Sequence, residues 1–337
     1  MEARRIDLHL IYEKTDITND ISKYVESIAF TDNASGESDD FQLGLEDRAG
    51  MWQSDWYPEK GARITVNLIA RNWQGQTEVK FPCGQLEIDE ISLTGPPDKI
   101  KLKALSVFVS GSIKETRSQG WESVTIEAIA QEIAARHGLS VSYTAAYNPI
   151  IDRKDQNEES DLSFLLQVCN DAGLCLKITN GTIVIFDEAD YEQREPAFTI
   201  TKKDALTYDF KSKTAQIYKS AKVTYRQGKK KKTISGSASA DDVDGTGKVL
   251  KINKKVSSVA EAEHLAKKKL RDKNRSQNTA SITIQWRPDA AAGNMVAVTG
   301  FGEFDGAYFI ERAGHSIRQN SSGSTIALEL HKKLEGY

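Results

Sequence analysis

Residues 40–46 read DFQLGLE, and this stretch shows the class of the fold. Phe41, Leu43 and Leu45 alternate with polar residues and glycine, so the apolar side chains fall on one face of an extended strand. Five more runs in the first 110 residues show alternation or β-branched enrichment, at 5–11, 22–31, 63–68, 84–93 and 100–107. Turn-forming segments separate the runs. The pattern predicts a small barrel or sandwich over residues 1–110.

The hydrophobic period changes after about residue 111. Ile126, Ile129 and Ile133 recur at three- and four-residue steps, which predicts an amphipathic helix over residues 123–137. A second helix with an apolar stripe is predicted over residues 160–172. Strands are predicted at 139–143, 174–178 and 182–186. Residues 111–205 are therefore expected to form an α+β middle domain.

The β character returns after residue 205. Strands are predicted at 217–226, 248–256, 279–286, 295–299, 307–317 and 324–330. One helix is predicted over residues 258–274, where Ser258 and Glu261 have the spacing of a capping box. A protruding hairpin is predicted over residues 226–248. The whole chain is thus expected to be α+β and mainly β, with barrel-like domains at 1–110 and 206–337 flanking the middle domain.

Composition excludes several classes of function. The chain has 337 residues with 48 acidic and 45 basic side chains, and a net charge of −3 gives no general attraction to nucleic acid or anionic membranes. No apolar stretch approaches the ~20 residues that cross a bilayer, and the first residues lack a signal core, which predicts a cytoplasmic protein. Cys83, Cys169 and Cys175 have no CxxC spacing, so neither a disulfide framework nor a zinc site is expected.

No motif predicts catalysis, a cofactor or a metal. The five histidines are scattered without an HExxH pattern, and there is no GxSxG elbow, phosphate loop or GxGxxG turn. Glu158, Glu159 and Asp161 could act as acid and base, but carboxylates are also favoured at the first turn of a helix by its dipole. The helix interpretation is preferred, and the chain is predicted not to be an enzyme.

Two polar segments allow a second interpretation. Residues 242–245 read DVDG, as in part of a calcium loop, but the distal bidentate glutamate is absent, which favours a polar loop. Residues 229–232 are four lysines that could follow phosphates. No aromatic residues interleave with them to stack bases, and a solvated hairpin is the preferred interpretation.

Several segments in combination resemble the phage late control gene D family, the contractile-tail baseplate hub family related to the hub part of type VI secretion spike proteins. The segments are 37–43, 47–48, 56–61, 84–90 and 95–98 near the start, 156–165 and 172–174 in the middle, and 262–270, 300–308 and 315–317 near the end. The resemblance covers nearly the whole chain, although no single motif in it is specific.

The resemblance implies a structural role in a virion tail baseplate, in an infectious phage or a phage-derived particle assembled in the bacterial host cytoplasm. The chain would form a homotrimer whose two tube domains per copy give six similar units that match a hexameric tail tube. The implied partners are the spike protein and the tail tube protein, with tape measure and baseplate wedge proteins as further contacts. DNA would be passing cargo, and no membrane or cofactor is implied.

Aromatic residues near predicted loops and strand ends are candidate interface residues, because aromatic side chains dominate protein interfaces as well as cores. The candidates are Trp52, Trp56, Tyr57, Trp73, Trp286, Phe301 and Phe304. The alternative for each is a place in the core of its own domain.

Two other functions remain open from the sequence. Residues 123–139 resemble the opening of a LysM-type peptidoglycan-binding module, although the second helix of such a module does not follow promptly. A cell-wall-degrading tail protein is the other alternative. Binding to peptidoglycan and zymography distinguish these from a structural protein.

Overall fold

The structure is a computed structural model that describes residues 4–73, 75–106, 112–226, 233–240, 243, 247–318 and 323–337. It is mainly β with a few helices, which confirms the predicted α+β, mainly β class. The strands are β1 Arg5–Tyr12, β2 Thr15–Asp16, β3 Val25–Asn33, β4 Asp40–Glu46, β5 Arg63–Trp73, β6 Gln76–Thr94, β7 Lys99–Leu105, β8 Thr116–Thr125, β9 Ser140–Tyr143, β10 Ile150–Ser160, β11 Cys175–Thr179, β12 Thr182–Phe186, β13 Phe198–Thr201, β14 Ala205–Ser212, β15 Ser220–Arg226, β16 Thr233–Ser239, β17 Val249–Ile252, β18 Asn278–Gln285, β19 Met295–Thr299, β20 Gly306–Arg318 and β21 Thr325–Lys332. The α-helices are α1 Thr18–Ile21, α2 Ile126–His137, α3 Asp161–Ala172, α4 Glu188–Glu192 and α5 Val259–Asn274.

Among the described residues, one sheet of 13 strands connects both predicted β regions. Its main order is β14-β18-β21-β20-β3-β4-β7-β6-β5-β1-β2, with β19 beside β20 and β13 beside β19. The two regions meet where β20 pairs antiparallel with β3, and His315 lies opposite Phe30. Buried apolar side chains from both regions form one contiguous cluster. In the described chain, β1–β7 and the later group β13, β14 and β18–β21 therefore share a sheet and a core.

The alternation in residues 40–46 places side chains as predicted. Phe41, Leu43 and Leu45 are each 1% exposed and lie in the core of the large sheet. Gly44 faces the other way, and a Cβ there would be too close to the Ser27 side chain. β4 is therefore packed between β3 and β7 with one face fully buried.

The middle unit contains the two predicted helices and a small sheet in the order β11-β12-β9. Thr125 and Ser160 cap α2 and α3, because each side-chain oxygen accepts a hydrogen bond from a backbone amide three residues on, at 3.2 Å. A long two-stranded ribbon, β8 with β10, completes the unit. Since β9 and β10 follow α2, the helix is not followed by the second helix that a LysM-type module would have.

A third, smaller unit lies within the second β region. β15 pairs antiparallel with β16 and parallel with β17, and α5 packs on the first two strands. Gly236 permits this close approach, since a Cβ there would lie 2.7 Å from the backbone carbon of Ala262. The antiparallel pairing of β15 with β16 lies within residues 220–239, whereas the predicted protruding hairpin spans residues 226–248. The lysines at 229–232 lie outside the described residues.

Candidate assembly surfaces

The large sheet ends on an open strand. Among the described residues, β14 pairs with β18 on one side and with no strand on the other. Leu206 and Tyr208 on this strand are 54% and 49% exposed. An open edge that carries exposed apolar side chains has unpaired backbone groups ready to pair with another strand.

An aromatic groove lies beside this edge. The ring of Phe210 stacks on that of Phe304 with centroids 5.1 Å apart, and Tyr208 meets Phe301 edge-on at 5.1 Å. The turn that carries the two phenylalanines is held by Asp305, whose carboxylate accepts hydrogen bonds from the amides of residues 300 and 301 at 3.1 and 2.7 Å. The groove is therefore built on a fixed turn, with Phe301 and Phe304 half-buried.

A second aromatic group lies in the connection between β4 and β5. Trp52 is buried, while Trp56 and Tyr57 are 39% and 52% exposed. Trp56 contacts Trp52 edge-on at 5.3 Å, and the amide of Trp52 donates to Asp47 at 3.0 Å. The exposed ring of Trp56 therefore packs against the buried ring of Trp52.

Two other candidates belong to the core shared by the strands of the large sheet. Trp286 is 1% exposed, and Trp73 is half-buried and meets it edge-on at 5.8 Å. Trp286 also faces Phe81 and His315. Burial lowers the pKa of His315 to about 4, so this imidazole is neutral within the core. Trp286, like Trp52, is a core residue of its own chain.

Leu206, Tyr208 and Phe210 were not among the candidate residues predicted from the sequence. Their alternation in residues 205–210, ALTYDF, is the same signal that identified β4. The structure brings them together with two of the predicted aromatics, Phe301 and Phe304.

A buried ionic cluster attaches the middle unit to the large sheet. Lys177 of β11 donates to Asp32 and to the carbonyl of Asn33 at 2.7 Å, and its ammonium lies 3.2 Å from Asp39. Burial raises the pKa of Asp39 to about 6, and the charge of Asp32 adds to this shift while Lys177 opposes it. One cation therefore serves two buried carboxylates.

A second cluster surrounds His331, which is fully buried. Its Nδ1 faces Glu311 at 2.8 Å and its Nε2 faces Glu192 at 3.2 Å, while Arg271 donates to Glu192 at 2.8 Å. Burial lowers the pKa of His331, but these carboxylates outweigh burial and raise it to about 9. Glu188, Glu192 and His331 have ligand atoms within 4.8 Å of one another, as a metal site would. An imidazolium with both nitrogens protonated donates to the carboxylates and has no lone pair for a metal.

Asp161 is not arranged for acid–base chemistry. It is fully buried at the start of α3, and the side chains of Arg136 and His137 lie 3.2 and 2.9 Å from its carboxylate. Gln156 also donates to it at 2.9 Å. These partners outweigh burial and lower the pKa of Asp161, which keeps it an ionised structural group.

The cysteines are poor nucleophiles. All three are free thiols, and burial raises the pKa of Cys169 and of Cys175 to about 12. Burial also raises the pKa of Cys83 well above its ordinary value. The DVDG segment cannot be compared with a calcium loop, because only Val243 of residues 242–245 is within the described residues.

No helix in the described part of the chain has the length and apolar character needed to span a bilayer.

A family model for phage tail baseplate hub (GPD) proteins matches residues 113–321. The chain belongs to this family. The resemblance seen in the sequence is therefore confirmed, and the virion tail baseplate is where proteins of this family are found.

Relatives of this baseplate hub chain agree with the assignment. A protein of Escherichia phage 186 named "Probable baseplate hub protein" is 25% identical over 372 residues, covering 96% of this chain and 92% of the relative. The crystal structure of the prophage MuSo2 43 kDa tail protein from Shewanella oneidensis has a TM-score of 0.71 at 13% identity, covering 97% and 98%.

The fold also extends to secretion systems. The E. coli c3393 protein, described as a type VI secretion component with similarity to T4 tail proteins gp27 and gp5, has a TM-score of 0.58 at 10% identity and covers 100% of this chain and 78% of its own. At this level of identity the likeness concerns the fold of the hub protein alone.

Proposed function

We propose that this baseplate hub protein forms a homotrimeric ring that joins the tail tube to the central spike. The 13-stranded sheet supports a ring in which each copy contributes two comparable sets of strands, β1–β7 from the first region and β13, β14 and β18–β21 from the last. Three copies would then offer six similar units to a hexameric tube. The tail tube protein on one side and the spike protein on the other are the partners that this role requires.

The observation that carries the proposal is the open edge at β14. A ring closes through heterologous contacts, in which one surface of a copy meets a different surface of the next. Two edges of the sheet differ in this way: β14 has exposed apolar side chains, while the other end of the main strand order is the short hairpin of β1 with β2. A strand of the neighbour that pairs with β14 would cover its backbone groups, and the aromatic groove beside it would receive side chains.

The test replaces the apolar side chains of this edge with charges. The double variant Leu206→Lys and Tyr208→Lys keeps the exposed backbone but adds two charges where the neighbour would pack. We expect the unmodified protein to have a mass of three times 37.4 kDa in light scattering and the variant to be a monomer.

Ile150→Lys is the matched control, because Ile150 is 69% exposed but lies on the middle ribbon. The control should remain a trimer. A trimer in the double variant would show that β14 is not the contact, and a monomeric unmodified protein would contradict the ring, unless the spike protein restores it.

A further inference from the structure

Positive charge is concentrated in one part of this nearly neutral chain. Residues 211–275 contain 19 of the 45 lysines and arginines but only 6 of the 48 acidic residues. This segment includes the small sheet β15–β17 and α5. The segment therefore has a net positive charge, while the rest of the chain has a strong net negative charge.

Among the described residues of β15–β17, the side chains on the outer face of the small sheet are cationic or carry a hydroxyl group, apart from Val249. Residues 221, 223 and 225 of β15 point towards α5, so the alternate residues face away from the helix. The outward residues are Ser220, Lys222, Thr224 and Arg226 on β15, Thr233, Ser235, Ser237 and Ser239 on β16, and Val249 and Lys251 on β17. The three strands contain no carboxylate.

The cations of this face repel one another. Lys222 and Lys251 are direct partners in the parallel pairing of β15 with β17. Like charges directly opposite each other destabilise a sheet. Within the described residues, neither lysine forms an ion pair, and neither does Arg226. An anion bound across the strands would relieve this repulsion.

We infer that the outer face of β15–β17, centred on Lys222, Arg226 and Lys251, binds the phosphate backbone of duplex DNA without sequence preference. Lysine, arginine, serine and threonine are the side chains that contact DNA phosphates. Single strands are bound through aromatic side chains that stack on bases. In the described strands β15–β17 no aromatic side chain lies on this face, since Tyr225 packs against the core on the other side. Duplex DNA therefore fits the face better than a single strand.

The test uses the full-length protein and a fluorescent 20-base-pair duplex of mixed sequence. If three cations contact phosphates, affinity should fall about 40-fold between 50 and 200 mM salt, from a slope of about −0.9 per contact. The triple variant Lys222→Gln, Arg226→Gln and Lys251→Gln should remove nearly all of that salt dependence. Lys14→Gln, Lys60→Gln and Lys101→Gln is the matched control, since these lysines are exposed elsewhere and their loss should leave binding unchanged.

The inference would be overturned by equal loss of binding in the two triple variants, by absence of duplex binding at 50 mM salt, or by equally tight binding of polyglutamate, which would assign the face to an acidic protein. Tighter binding of the single strand than of the duplex would also contradict it. Light scattering on the same samples separates this test from the ring, because neither triple variant changes β14 and both should keep the mass of the unmodified protein.

Discussion

Lys177→Met is expected to destabilise the protein strongly, because Lys177 is the cation shared by two buried carboxylates. The side chains of Lys177, Asp32 and Asp39 are 16%, 10% and 3% exposed. Removing one partner of a buried ion pair costs about 3–5 kcal/mol, since the remaining charge is left without compensation. We expect the free energy of unfolding in urea, followed by tryptophan fluorescence, to fall by about that amount at pH 8.

The loss should depend on pH in a defined direction. The pKa of Asp39 in the folded protein, about 6, is above the ordinary 3.8, so the folded state binds this proton more tightly than the unfolded state does. The stability gained from protonating Asp39 in the folded protein is therefore present below about pH 4 and is lost as pH rises through about 6. Without Lys177 the pKa rises further, so the variant should lose much less stability at pH 5 than at pH 8.

Lys99→Met is the control, because Lys99 pairs with Glu26 at 2.6 Å but is 43% exposed, and such pairs contribute ~0–1 kcal/mol. The triple variant Asp32→Asn, Asp39→Asn and Lys177→Met should recover most of the lost stability, since none of these three positions then carries a charge. A loss of stability in Lys177→Met no larger than that in Lys99→Met, or an equal loss at pH 5 and pH 8, would contradict this prediction.

Three further substitutions test other parts of the fold. The neighbouring carboxylates raise the pKa of His331 to about 9, so the stability that this group contributes is fully present below pH 6.5 and is lost as pH rises through about 9. The free energy of unfolding in urea should fall by about 3 kcal/mol between pH 6.5 and 10 in the unmodified protein but not in His331→Gln, and parallel pH profiles of the two proteins would contradict this. Gly236→Ala should lower the stability measured by thermal unfolding by about 1–3 kcal/mol, because the added Cβ meets the backbone of α5. In Gly120→Ala the nearest atom to the added Cβ is 3.5 Å away, so the loss should be less than about 1 kcal/mol, and equal losses in the two variants would count against the close approach at Gly236. Asp161→Asn should lower the free energy of unfolding by about 3–5 kcal/mol, because its cationic partners lose a buried carboxylate. The control Glu122→Gln breaks a pair with Arg153 in which both side chains are 64% exposed, so it should lower the free energy of unfolding by less than about 1 kcal/mol, and similar values for the two variants would show that the Asp161 cluster is not stabilising.

Local signals made much of the fold predictable. Helices α2, α3 and α5 each begin at a Ser or Thr cap and carry an apolar stripe, so their limits are encoded within a few residues. The strand β4 was equally clear from its alternation. Strand β3 begins later than predicted, at Val25 rather than residue 22, because residues 18–24 form short helical turns.

The polar ribbon of β8 with β10 could not be seen in this way. Most of its side chains are exposed, and it is held by cross-strand pairs such as Arg153 with Glu122. A hydrophobic pattern needs a buried face, and in this ribbon Trp121 and Gln156 are the buried exceptions. Pairing between distant segments could not be predicted either. β15 pairs in parallel with β17, and together with β16 these strands form a sheet separate from the large one.

The candidate surfaces were predictable only in part. Phe301 and Phe304 were predicted as aromatic residues near loops and strand ends, but no local signal separates an exposed Trp56 from a buried Trp286. The ionic clusters depend on contacts far apart in sequence, such as Lys177 with Asp32, which are 145 residues apart. Such pairs follow from the packing of the units and not from any motif.

The most direct test of the proposed ring is electron microscopy of the purified protein, alone and with its spike protein. We expect annular particles built from three copies whose outline shows six similar units around a central opening. Particles that contain a single copy under both conditions, or a ring with any other number of copies, would contradict the proposal.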